Sequence, residues 1–121
     1  MKPFEHIDVA STIERTIDNE PMAKEWYGLL REEIEESQVL ISNAWQKKDL
    51  QSIKALAHKL RGACCYCSAP HLKALVTSCE NQIQDNEDAF KEEHVQALLA
   101  EMVAVTHDID SYLSDKVKNN D

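Results

Sequence analysis

The sequence is poor in the residues that make tight turns. Two glycines and three prolines occur in 121 residues, too little turn chemistry for a sandwich or barrel, which favours long elements joined by few connections. Strict alternation of apolar and polar residues, the mark of a half-buried strand, does not occur. No apolar run approaches the roughly eighteen residues that a membrane-spanning helix needs. The start, Met1-Lys2-Pro3-Phe4-Glu5, has no apolar stretch of the kind a secretory signal requires. Only four cysteines are present, at positions 64, 65, 67 and 79. That crowding suits thiols in a reducing, cytoplasmic compartment better than a disulfide framework.

Acidic residues are also missing, but only locally. The chain carries 22 Asp and Glu against 13 Lys and Arg, a formal net charge of -9, which disfavours nucleic acid and anionic membrane as partners. Yet from Leu50 to Cys79 there is no Asp or Glu, while Lys54, Lys59, Arg61 and Lys73 fall inside that window. Eleven acids precede it and eleven follow. A segment kept clear of negative charge in an acidic chain points to a site that attracts an anion.

What is present is helical periodicity. Ile7, Val9, Ile13 and Ile17 suggest a short first helix after a loosely packed leader over residues 1–9. Asn19-Glu20-Pro21 should then interrupt that helix. Trp26, Tyr27, Leu30, Ile34, Leu40, Ile41 and Trp45 form a stripe along a helix from Met22 to Lys48, weakened by Ser37 and Gln38. Asp49 is placed to cap a second long helix with Leu50, Ile53, Leu56, Ala57, Leu60 and Cys64 inward. Ser68 is a candidate cap for a third, with Leu72, Leu75, Val76, Cys79 and Ile83 inward, beyond which residues 85–88 read as a polar turn. A fourth runs from Phe90 through Val95, Leu98, Met102, Val105 and Ile109 to Leu113, and the tail from Ser114 should fray. The expectation is a single all-α domain over residues 1–121, an antiparallel four-helix bundle with a short additional N-terminal helix and a core at about 23–113.

One histidine does not fit the buried stripes. His6, His71, His94 and His107 suit ordinary surface or edge positions. On a helix advancing 100° per residue, however, His58 projects roughly opposite Leu60 and should face solvent. Lys54, Ala55, Arg61 and Gly62 share its face and Lys59 flanks it. Two cations near an imidazole would favour a phosphoryl group placed on it. A neutral imidazole supplies a nucleophilic nitrogen at cellular pH. Gly62, which costs about 1 kcal/mol inside a helix relative to alanine, would leave bare backbone for an approaching partner.

Ala57-His58-Lys59-Leu60-Arg61-Gly62 followed by Ala63-Cys64-Cys65-Tyr66-Cys67-Ser68-Ala69-Pro70 resembles the signature of histidine-containing phosphotransfer (HPt) domains. The likeness runs from about residue 23 to 113. Its Cys-x-Tyr and Ala-Pro pieces look most like the C-terminal module of tripartite hybrid sensor kinases of bacterial global-regulation pathways. The resemblance implies that His58 is the phosphoacceptor of a multistep two-component phosphorelay. Lys54, Lys59, Arg61, Gly62 and Cys65 would then stabilise the phosphoryl group or dock the partner. It implies response-regulator receiver domains as partners, a monomer without kinase activity of its own, and no metal or cofactor, the Mg²⁺ belonging to the receiver. It also fits a cytoplasmic module excised from a membrane-bound sensor kinase. Ala63 stands where the family commonly has serine, and Ser68 where it often has glycine.

Two other readings compete. A helical interaction module would use the basic face without chemistry. A zinc bundle would draw on Cys64, Cys67, His71 and Cys79, although buried unpaired cysteines usually act as small hydrophobes.

Overall fold

The structure, a computed structural model, describes residues 4–114. The described residues form five α-helices: α1 (Val9–Arg15), α2 (Glu20–Gln46), α3 (Leu50–Tyr66), α4 (Pro70–Asp85) and α5 (Glu92–Leu113). A single 3-10 turn at Glu87–Ala89 lies between the last two. Short connections make successive long helices antiparallel, and α5 packs on both α2 and α4 to close a four-helix bundle. The expected tail fraying from Ser114 falls almost wholly outside the described residues. No helix among them is long and apolar enough to cross a membrane.

The helix starts follow from side chains that satisfy the exposed amides of a first turn. Asp8 accepts from the Ser11 amide, Asn19 from that of Met22 and Asp49 from that of Ser52. The chain does break after α1, as expected, but the break comes before Pro21, which already belongs to α2. The proline sits in the first turn, where its missing N–H would have had no intrahelical partner anyway.

The connection from α2 to α3 is equally local. The Lys48 amide bonds to the Trp45 carbonyl and the Asp49 amide to that of Ala44. This pairing turns the chain through a left-handed residue just past the helix, here Lys48 with φ 55°.

The core is the sum of the four stripes. Tyr27, Ile34, Ile41, Ile53, Leu60, Leu72, Ile83, Leu98, Met102 and Ile109 are among its fully buried side chains. Burying each such aliphatic group favours folding by about 1.5–3 kcal/mol. Two stripe assignments fail. Leu40 faces solvent, while Ser37, read as a weak point, is buried and continues the inner face with a small residue.

The N-terminal region departs most from its sequence reading. Ile17 is 89% exposed because α1 ends before it and it occupies a left-handed conformation, φ 57°. The inward position of α1 belongs to Thr12, whose hydroxyl lies 2.8 Å from the Tyr27 hydroxyl and accepts the Ser68 amide at 2.8 Å. Tyr27 also donates to the Ser68 carbonyl, as does the Asp8 amide, each at 2.9 Å. Ser68 therefore fastens α1 to the α3–α4 connection through its backbone. It does not cap α4, whose first turn follows Ala69 without a side-chain cap. Nor is the segment before α1 loose from residue 4 onward. Ile7 is buried, Phe4 meets Tyr112 edge to face and the His6 amide donates to Asp108 at 2.9 Å.

Candidate functional site

The cap at Asp49 sets the phase of α3, and the core fixes its rotation by burying Ile53, Ala57, Leu60 and Cys64. His58, one residue beyond Ala57, is thereby turned outward, with 63% of its side chain exposed. Gly62, a turn further on, is exposed, and a β-carbon added there would meet nothing within 4 Å. Cys65, the next turn along that face, is exposed as well. Exposed backbone and small side chains thus surround the imidazole on its C-terminal side.

On the α4 side the imidazole is held. Its Nδ1 lies 2.7 Å from Glu80 Oε2, and the other oxygen of that largely buried carboxylate is 3.5 Å from an Arg61 guanidinium nitrogen. A second Arg61 nitrogen approaches His58 Nδ1 at 3.2 Å. Nδ1 cannot both donate to Glu80 and accept from Arg61. The shorter contact, to a charged acceptor, is the stronger one. Nδ1 therefore carries the proton, and Arg61 acts chiefly as the counter-charge of Glu80. A ring whose Nδ1–H is tied to a carboxylate has its lone pair on Nε2.

The other candidate residues divide. Lys54 lies on the same face, donates to the Gln84 side-chain oxygen, and lines a shallow cleft with Gln51, Ala55, His58 and Glu80. Lys59 turns the other way, 3.1 Å from Glu33 on α2. The structure thus brings Lys54, His58, Arg61 and Gly62 into one surface, extends it to Cys65, and draws Lys59 aside.

The acid-free window points to a site that attracts an anion, but Glu80 and Glu33 return two carboxylates to it from neighbouring helices. Glu80, in contact with the His58 ring, is the residue of this surface to which the sequence assigned no role. A signal existed. Residues 58 and 80 lie at similar distances on either side of the connection at 67–69, so an antiparallel α3–α4 pair must set them side by side.

The cysteines do not assemble as the zinc reading requires. Cys64, Cys67 and Cys79 are buried, and burial pushes their thiols up, to about 12, about 11 and about 11 respectively. Thiolates, the metal-binding form, are disfavoured there. Among the described residues these cysteines form no metal-ligating group of three or more with His71.

A helical bundle that presents His58 on an exposed helix face beside a carboxylate has room for a phosphoryl group there, and the family comparison names a class of such bundles. The model of the Hpt domain family matches residues 25–110. The chain belongs to that family and serves histidine phosphotransfer in two-component phosphorelays, between receiver and response-regulator domains. No curated protein and no solved structure matches it.

Proposed function

We propose that His58 is the phosphoryl carrier and that Nε2 is its nucleophilic atom. The observation carrying this reading is the 2.7 Å contact between His58 Nδ1 and Glu80. When a receiver presents its aspartyl phosphate, the Nε2 lone pair forms the N–P bond as the P–O bond to the aspartate breaks, the electron pair leaving on the carboxylate oxygen. The Nδ1 proton stays in place, and the positive charge on the phosphorylated ring is held against Glu80. Transfer onto the next receiver aspartate runs the same steps in reverse. Lys54 and Arg61 edge the position of the phosphoryl oxygens, where cations favour the transferring group. The Mg²⁺ that the reaction uses belongs to the receiver.

In this reading receivers dock over Lys54, Ala55, His58, Gly62 and Cys65, and the domain acts as a monomer in the cytoplasm. A purely passive docking surface would give Glu80 no reason to grip the exposed imidazole.

The test is incubation with a receiver phosphorylated in the presence of Mg²⁺. The chain should acquire a base-stable, acid-labile phosphate, and His58→Gln should abolish it with the thermal midpoint nearly unchanged. Undiminished labelling of that variant would move the site elsewhere.

A further inference from the structure

A second histidine cluster lies away from this surface, where the segment before α1 meets α4 and α5. His6 Nδ1 is 2.7 Å from Glu101 Oε2, and the His71 ring meets the His6 ring edge to face with centroids 5.4 Å apart. One ligand atom from each of His6, His71 and Glu101 lies within 4.8 Å of those of the other two. We propose that these three side chains form a binding site for a divalent transition-metal ion of the zinc type.

Two imidazoles and one carboxylate are a recurrent zinc donor set that leaves a fourth position for water. Metal–ligand bonds of 2.0–2.1 Å put tetrahedral ligand atoms about 3.3 Å apart. The His6–Glu101 contact therefore opens slightly, and His71, exposed on the first turn of α4, swings in by side-chain rotation.

The other two ligands are already positioned. The His6 amide is held by Asp108 Oδ2 and the next residue, Ile7, is buried, while the Glu101 side chain is only 11% exposed. Binding exchanges the proton shared by His6 and Glu101 for the ion, as imidazole ligation requires. His71 and Glu80 are nine residues apart on one helix, about 13 Å, so the metal site is separate from the phosphoryl carrier. Its effect is to pin the N-terminal segment across the start of α4 and the middle of α5.

The experiment is calorimetric titration of the whole, reduced chain with zinc chloride, paired with cobalt(II) absorption spectra. The result expected is one ion per chain, with binding lost in His71→Ala and in Glu101→Gln but kept in His58→Gln. Neither loss should come from unfolding. His71 is exposed, and glutamine at 101 can still bond His6, so both variants should melt near the parent in the absence of metal. Cobalt should give weak visible bands without an intense thiolate charge-transfer band. Unchanged uptake in His71→Ala, a thiolate band, or no saturable binding would each overturn the site.

Discussion

His58 and His6 are bound in the same way and placed for different work. Each imidazole has its Nδ1 2.7 Å from a glutamate oxygen on a helix outside its own segment, Glu80 on α4 in one case and Glu101 on α5 in the other. The partner of His58 leans on Arg61, and the ring stands on a helix face among exposed positions. His6 has only 23% of its side chain exposed, with His71 against its ring and Asp108 on its backbone amide. A histidine–carboxylate pair is thus no function by itself. Exposure of the ring makes one pair suited to group transfer, and a converging second imidazole makes the other suited to an ion.

The comparison breaks first at Gly62, if openness is what distinguishes His58. Gly62→Gln should slow receiver-to-His58 transfer by about a hundredfold, because small displacements of reacting groups are that costly. Gly62→Ala should slow it slightly. The fold should not suffer, since a β-carbon there meets nothing within 4 Å, and alanine should raise stability by up to about 1 kcal/mol. Transfer rates set against thermal midpoints across the three side chains decide the point.

Exchanging the two carboxylates sharpens it. Glu80→Ala should slow transfer by about tenfold to a hundredfold, the usual cost of removing a group that orients a reactive histidine, and Glu80→Gln should recover part of the loss by keeping an acceptor for Nδ1. Glu101→Gln should leave transfer unchanged. Equal effects of the Glu80 and Glu101 variants on single-turnover transfer would erase the difference between the two pairs.

The smallest effect belongs to Arg61. Its contact with Glu80 lies at the surface, where ion pairs contribute about 0–1 kcal/mol and salt screens them. Arg61→Ala should therefore slow transfer only severalfold, and by less as ionic strength rises. A parent-like rate at every salt concentration would reduce Arg61 to solvated surface.

How much was legible in the sequence follows from how local each cause is. The long helices are written in stripes and caps a few residues apart, so α3 and its outward His58 could be read directly. Ile17 misled because apolar spacing ignores where a helix stops; the α1 stripe runs on past Arg15 while the chain has already turned left-handed. Thr12 and Ser68 were missed because their roles rest on hydrogen bonds to groups far along the chain. Glu80 escaped for the same reason, standing 22 residues from His58. The His6–Glu101 pair, separated by 95 residues, has no signature in linear spacing at all.

The central claim is that Glu80 holds Nδ1 and leaves Nε2 to take the phosphoryl group. The measurement that meets it most directly is long-range proton–nitrogen NMR on the chain labelled with ¹⁵N in its histidines, before and after phosphorylation by a receiver. The account predicts a His58 ring protonated at Nδ1 beforehand and phosphorus coupling at His58 Nε2 afterwards, with the other histidine rings unchanged. Phosphorus on Nδ1 of His58, or on any other histidine, would contradict it.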